Sequence, residues 1–583
     1  MQRATRLVVA LVVIGLVATA SLAFLRSGGN HFLSYTRYPD FLLLSNWCNE
    51  TAWISTGNED PYFPGYNLSI QSLYCGHYGL LPVKFYVLTG GKTSGAELDI
   101  RNEVLINQSD GTTRFIFPPS SNQLDISQDL LSGPVKVLFV EKAAYPVRYS
   151  MGQSALTLLT QPTITLYMPG GEFLASFSNG EFQVLAECPS SNATLGVVIG
   201  SSVPMGLAAV ESLNAREVEA WLNSSRKPDL EGDLLSLYYR SLLLIKDDQN
   251  PYIGCFVASP SPPYFYAWVR DGSFSAMALA DSGHLSSALK DWKWMAGEIV
   301  SSGQQAGTWY TRYDFWTGSP DETAPTEYDS VGLFQLGIWQ LYLNCGNASE
   351  VRPFIPAINS SLTWELRQIK STGLIPEDAS VWEDDHAYNF WTEAFDDLGI
   401  RDSAELYSAL GMKAGWVLLL SQMLNSSMAP FYGAQGFAQY ALPSNSGLQA
   451  YEIPDSSLIA PIDYGYVSPT SPEAVATVTA AQRYLMVKGG LARFLGDTYH
   501  YGWDSTGKMP PWIITTMFLA IYYEQVGNYT GALSLLEWCA AHQQGGLLPE
   551  AIDPNYGNPL PTTSPLTWSA AMYVIASLGY APQ

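Results

Sequence analysis

The sequence predicts a two-part protein, an antiparallel β-sandwich over residues 30–205 followed by a toroid of paired helices over 233–583. Three observations carry this prediction. At 583 residues the chain is too long for one typical domain. Its first third is built from short β-rich runs punctuated by Gly, Pro, Asn and Ser. From Asp233 onward roughly a dozen segments with helical spacing follow one another to the C-terminus.

The elements can be justified in chain order. Arg3 and Arg6 precede an uncharged, mostly apolar run from Leu7 to Leu25, closed by Arg26. A run of this length can span a bilayer core, and the arginines should keep its start inside. Residues 1–28 are therefore expected to be a signal peptide, with a cleavage site near Ala18–Ala20, or an uncleaved N-terminal membrane anchor. Either exports the rest of the chain, so the expected localisation is extracellular, secreted or anchored through this segment. The runs Val83–Leu88, Thr113–Pro118, Pro134–Val140, Thr163–Met168 and Leu195–Gly200 then read as strands of a sandwich. Near Pro204 the pattern changes, and Leu207–Ser225 reads as a connecting helix within a linker over 206–232. The helical segments that follow include 233–246, 284–300, 330–343, 404–424, 471–487, 510–526 and 529–542. The loops between them hold Gly, Pro, Trp, Tyr and acidic residues, as expected where connections on a rigid scaffold build a site.

Composition narrows the function classes. Hydrophobic residues at 47 % and aromatics at 13 % support large cores and exclude wholesale disorder. With 29 Lys+Arg against 53 Asp+Glu the formal charge is -24, which lacks the basic footprint nucleic acid requires. The acidic excess is compatible with an acidic exterior. Nine Asn-X-Ser/Thr sequons, at Asn49, Asn67, Asn107, Asn192, Asn223, Asn347, Asn359, Asn425 and Asn528, fit an exported glycoprotein. Six cysteines show no metal-type spacing, and Cys48–Cys75 is the most local disulfide candidate among fifteen full connectivities.

Four loop segments carry candidate chemistry. In Tyr264–Asp271, "YFYAWVRD", Arg270 and Asp271 either cap the following helix or bind polyhydroxyl groups beside Tyr264 and Trp268. In Ser380–Asp385, "SVWEDD", the carboxylates form a solvated acidic loop or place a proton donor. Trp382 should desolvate Glu383 and the neighbouring carboxylates should disfavour its charge, both of which raise a carboxyl pKa as a general acid requires. Arg493 in "GGLARF" is a lone cation in a Gly-rich turn, followed by "GDTYHYG" and "PPWIITT". Glu550 lies in "GGLLPEAIDP", ahead of "SPLTWSAAMYVIA".

In order, these segments resemble the motifs of the glucoamylase family, which includes glucodextranases and some trehalases. "YFYAWVRD" is similar to the segment that opens its catalytic domain, "VWED" to its general-acid segment, and "LLPEAID…SPLTW" to its general-base segment. The resemblance covers most of 233–583, and prokaryotic members carry a β-sandwich before an (α/α)6 barrel. It implies Glu383 as general acid and Glu550 as general base. It implies Arg270, Asp271 and Arg493 as sugar-binding residues, Tyr264, Trp268, Trp382 and Trp512 as the pocket lining, and Asp384 on the leaving-group side. Asp385 has no implied role. Where the family shows a Gln-x-Asp at the head of a mid-domain helix, this chain has Glu327 and Asp329. The tryptophan of fungal members shortly upstream has no counterpart, so Trp309, Tyr310 or Trp316 would substitute as sugar platforms.

The implied activity is that of an exo-acting inverting α-glucosidase releasing β-D-glucose from non-reducing ends of α-glucans or oligosaccharides. Two carboxylates and a water suffice for it, so no cofactor is expected and no metal ligand is assigned. Trehalase or α-1,6-glucosidase activity would use the same residues. An inactive barrel acting as a cell-surface glycan-binding or structural protein is the non-enzyme alternative, disfavoured by the presence of both glutamates beside Arg270–Asp271. The expected partner is an α-linked oligo- or polysaccharide.

Overall fold

The computed structural model describes residues 32–34, 41–47, 50–55, 68–75, 80–99, 102–143, 147–260, 264–499, 508–560 and 563–582. The apolar run 7–25 and Cys48 lie outside these residues. No described helix is long and apolar enough to cross a membrane. The chain divides into two compact units, residues 1–225 and 226–583.

The first unit pairs its strands into a nine-stranded and an eight-stranded sheet, antiparallel throughout. The predicted runs fall on strands Val83–Val87, Gly111–Ile116, Val135–Lys142, Ile164–Tyr167 and Asn192–Ile199. Alternation explains their pairing: along Glu181–Cys188 every second residue is buried, which dedicates one face of the strand to the core. Val104, Phe115, Leu124 and Ile126 from one sheet meet Phe85, Val137, Phe139 and Val184 from the other. Phe85 and Phe139 pack edge to face at 5.2 Å.

Helix α1 (Leu207–Asn223) packs against this sandwich and is grouped with it. Glu211 pairs with Arg114, and Asn214 Nδ2 donates to Glu103 Oε1 at 3.2 Å. The Trp221 ring meets Trp47 at 5.5 Å. Its inward stripe of Val210, Asn214, Val218 and Leu222 has the spacing of one helix face.

The second unit is a double ring of helices. Six inner helices close on themselves, each touching the next: α3 (Val269–Asp281), α5 (Asp329–Cys345), α7 (Phe390–Ala409), the short α9 (Ala460–Asp463), α11 (Ile513–Gln525) and α13 (Thr567–Gly579). Outside them lie α2 (Gly232–Asp247), α4 (Leu285–Glu298), α6 (Ile355–Thr372), α8 (Gly415–Ser427), α10 (Pro472–Leu485) and α12 (Tyr529–Ala541). Burial separates the two sets. Nearly every residue of α3 and α11 is buried, whereas α6 buries only a stripe through Ile358, Leu362, Trp364, Glu365 and Ile369.

Glycines permit the closest inner crossing. A Cβ on Gly332 of α5 would lie 2.2 Å from the Phe395 carbonyl oxygen, and one on Gly399 of α7 would lie 2.6 Å from the Gly332 oxygen. The run 404–424, expected to be helical, is two helices. Gly411, at φ 73°, ends the first and turns the chain toward α8. The last helix completes the ring: Thr567 Oγ1 donates to Asp248 Oδ2 at 2.7 Å, and Tyr573 Oη donates to the Leu234 carbonyl at 3.2 Å.

Candidate active site

Three inner helices are entered from short strands that fix their first turns. Tyr266–Trp268 pairs with Arg312–Asp314 before α3, Tyr388–Asn389 pairs with Tyr440–Ser444 before α7, and Pro511–Trp512 pairs with Gly490–Ala492 before α11. A pocket of about 320 Å³ lies at the starts of α3, α11 and α13. All ten residues singled out in the sequence line it.

Arg270 and Asp271 occupy the first turn of α3, both buried. Arg270 Nη1 donates to Glu327 Oε2 at 2.5 Å and lies 3.5 Å from Asp329 Oδ2, while its Nε lies 3.7 Å from Asp271 Oδ2. Asp329 also accepts from Trp391 Nε1 at 2.8 Å. Glu327 and Asp329, the counterparts of the family's Gln-x-Asp, thus anchor the arginine from behind, and neither lines the pocket. Burial pushes the Glu327 carboxyl well up. Burial also raises Asp271 to about 6, opposed by Arg270 and reinforced by Glu383.

The acid loop departs from expectation in one respect. Glu383 is exposed, so the neighbouring indole does not bury it. Trp382 instead donates its Nε1–H to both oxygens of the buried Asp455, at 3.1 and 3.0 Å, and meets Trp512 edge to face at 5.9 Å. A buried carboxylate attracts an indole donor more strongly than an exposed one, because no water competes for it. Glu383 holds φ 56° and Ser380 φ 54°, conformations that non-glycine residues seldom keep without a reason. Asp384 Oδ2 lies 3.4 Å from Arg493 Nη2. Burial raises its pKa and Arg493 opposes the rise. Asp385, next along the loop, is exposed and does not line this pocket.

Arg493 is buried and clamped by Asp497, which accepts from Nε at 2.9 Å and from Nη2 at 2.7 Å. Its guanidinium lies 4.9 Å from the ring centroids of both Tyr499 and Trp512 and 5.3 Å from that of Trp382. Glu550 is buried, and its backbone is tied at both ends: its N–H donates to the Thr563 carbonyl at 2.8 Å and its carbonyl accepts from Ile513 N–H at 3.2 Å. Tyr499 Oη donates to Glu550 Oε2 at 2.5 Å. Tyr264 packs edge to face on Trp268 at 5.6 Å and hydrogen-bonds Tyr499. A carboxylate can only accept, so the Tyr499 proton serves Glu550 and Tyr264 donates its own to Tyr499. Burial, with the Glu550 charge, pushes both phenols up.

Three polar or aromatic lining residues were not singled out in the sequence. Tyr499 lay within the quoted "GDTYHYG" and Trp568 within "LTW". Arg312 lay in the "GTWYTRYDFW" segment, where attention went to its tryptophans. Arg312 lies 4.8 Å from the Tyr266 ring and 5.0 Å from that of Trp268, with its Nε 2.8 Å from Asp321 Oδ2. Trp568 stacks on Phe274 at 5.1 Å, with Arg270 5.5 Å above its ring. The suggested platforms do not line this pocket. Trp309 is core, its Nε1–H bound to the Met295 carbonyl at 2.7 Å, and neither Tyr310 nor Trp316 lines the pocket.

Known proteins resemble this chain in sequence and in fold. The profile of Glycosyl hydrolases family 15 matches residues 232–310. An uncharacterized glycosyl hydrolase of Methanocaldococcus jannaschii is 24 % identical over 359 residues, 58 % of this chain and 54 % of that protein. A glucoamylase of a Clostridium species is 24 % identical over 420 residues, covering 63 % of this chain and 56 % of its own length. An isomaltose glucohydrolase of Kribbella flavida is 24 % identical over 359 residues, 56 % of this chain and 89 % of that protein. The chain thus spans about half the length of the first two relatives. Among solved structures, a bacterial glucoamylase complexed with acarbose superposes with a TM-score of 0.66 at 14 % identity, covering 95 % of each chain. The resemblance to the glucoamylase family is borne out, and so is the fold of a β-sandwich followed by a helical barrel.

Proposed function

We propose that the chain is a glucoamylase-like exo-α-glucosidase that inverts configuration and releases β-D-glucose from non-reducing ends of α-linked oligo- or polysaccharides. One observation carries the reading: Glu383 and Glu550, from loops remote in sequence, line a single pocket with three arginines and four tryptophans. Glu383, exposed at this pocket, protonates the glycosidic oxygen. Glu550 deprotonates the attacking water, and the Tyr499 donor holds its carboxylate ionised and in one orientation. Arg270, Asp271 and Arg493 bind the hydroxyls of the glucose ring. Glu327 and Asp329 hold the Arg270 guanidinium and Asp497 holds that of Arg493, so these groups position the sugar as fixed donors and acceptors. The rings of Trp268, Trp382, Trp512 and Trp568 exclude water from the apolar faces of the sugar.

The test is glucose release from maltose, isomaltose, trehalose and starch, with the product anomer followed by NMR. The β-anomer should form first. Glu383→Gln and Glu550→Gln should each lower kcat by about 10²–10⁴-fold. Near wild-type hydrolysis by either variant would overturn the assignment. Absence of glucose from every substrate would favour a glycan-binding barrel.

A further inference from the structure

We propose that the β-sandwich carries a second saccharide site, in a groove on the outer face of its nine-stranded sheet. The groove is a cavity of about 530 Å³, larger than the pocket of about 320 Å³ in the helical unit. Its floor is a row across three neighbouring strands, because Gly196 pairs directly with Asp125 on one side and with Tyr167 on the other. Directly paired residues share a face. Leu124, Ile126, Leu195 and Val197, their chain neighbours, point into the core, so the row points outward. Glycine at the centre lets the Gln123 amide and the Asp125 carboxyl close over the strand, with the Tyr167 ring on the other flank. A Cβ there would approach Gln123 Nε2 to 2.9 Å and Asp125 Oδ1 to 3.2 Å.

The polar groups of the groove select the ligand. Asp125 is fully buried, its Oδ1 accepts from Gln123 Nε2 at 2.7 Å, and its Oδ2 has no partner. An orphaned buried carboxylate oxygen is costly and calls for a donor. Facing it is the start of α1. Gln123 fixes that start by accepting from Met205 N–H at 2.7 Å and donating to the Met205 carbonyl at 2.9 Å. The helix begins at Gly206 with no side-chain cap, so its first amides are donors without intrahelical acceptors. Burial pushes the Asp125 carboxyl up to about 7, so it offers an acceptor when ionised and a donor when protonated, while a cation would meet the positive helix end. A hydroxyl both donates and accepts, and the Tyr167 ring offers a surface for the apolar face of a sugar.

Two sources supply such a ligand. One is a soluble α-glucan, and this source rests on the function proposed above. The other is a glycan on Asn192, whose sequon runs through Thr194 along the same groove.

Hydrogen exchange on the full chain separates them. Protein from a host that does not N-glycosylate, carrying Glu550→Gln to prevent turnover, is mixed with maltoheptaose. For a soluble glucan, exchange should slow in Ile164–Tyr167 and in the first turn of α1, and Tyr167→Ala should weaken that protection about tenfold in ligand concentration. Protection around Glu383 and Trp512 should be unaffected by Tyr167→Ala. If the catalytic reading is wrong, that second protection is missing while the groove response persists. For an attached glycan, maltoheptaose has no effect in the groove, and enzymatic removal of the Asn192 glycan from glycosylated protein speeds exchange there. Far-UV circular dichroism confirms that Tyr167→Ala is folded. If neither addition nor removal of sugar changes exchange in these segments, the proposal is overturned.

Discussion

The Tyr499–Glu550 hydrogen bond makes a sharp prediction about the proposed chemistry. In Tyr499→Phe the aromatic ring keeps its place against Trp512, at 5.1 Å, and beside the Arg493 guanidinium, at 4.9 Å, so packing is preserved. Only the hydroxyl that donates to Glu550 Oε2 at 2.5 Å is lost. A hydrogen bond to a charged acceptor contributes about 1.5–3 kcal/mol, which corresponds to a fall of about 10–150-fold. The loss should appear in kcat more than in KM, because the carboxylate acts on water in the transition state. The acidic limb of the pH–rate profile should also move to higher pH, since the ionised carboxylate has lost a donor while the protonated acid has not. Tyr264→Phe is the graded control. It removes the donor to Tyr499 and leaves the bond to Glu550, so its effect should be smaller. Initial rates on maltose across pH, with KM determined for each variant, give the answer. If Tyr499→Phe retains kcat within about twofold of wild type, Glu550 is not held by this phenol in the reacting complex.

Two further predictions concern the scaffold. Asp378 and Asp455 are buried with carboxyl pKa values pushed up to about 7 and about 6, desolvation being the largest cause. Each therefore binds a proton more tightly folded than unfolded, and stability present at pH 4 declines as pH rises through 6 to 7. At about 1.4 kcal/mol per pKa unit the loss is on the order of 4 kcal/mol for Asp378 and about 3 kcal/mol for Asp455, and urea midpoints at pH 4.5 and 7.5 would reveal a reversed trend. Gly332→Ala should lower Tm by several degrees, because its methyl would meet the Phe395 carbonyl at 2.2 Å, while Gly415→Ala meets nothing within 4 Å and should leave Tm level or raised.

Much of this architecture could be read from residue order, and the exceptions share a cause. Strand alternation and helical spacing are local, so the sandwich and the helices of the barrel follow from short windows of sequence. Arg270, Glu383, Arg493 and Glu550 were legible because each lies in an uncommon loop motif, and their order along the chain is more specific than any one of them. Tyr499, Arg312 and Trp568 belong to residue types abundant in every loop of this protein. What distinguishes them is a partner distant in sequence: Glu550 for Tyr499, Trp268 for Arg312 and Phe274 for Trp568. The environment of Glu383 was misjudged for the same reason, since Asp455, which captures the Trp382 indole, gives no sign of that contact in its own segment. Trp309 illustrates the converse. It lies in an aromatic loop suited to a sugar platform, and burial instead commits its N–H to a backbone carbonyl.

The closure of the inner ring by α13 bears on when the protein can become functional during its synthesis. Trp568 enters the pocket from the final helix, and Thr567 and Tyr573 fasten that helix to Asp248 and Leu234, at the opposite end of the helical unit. The pocket therefore has all its walls only once α13 has been made and docked, after every other element that lines it. A chain cut before Thr567 would keep both glutamates and leave the ring open.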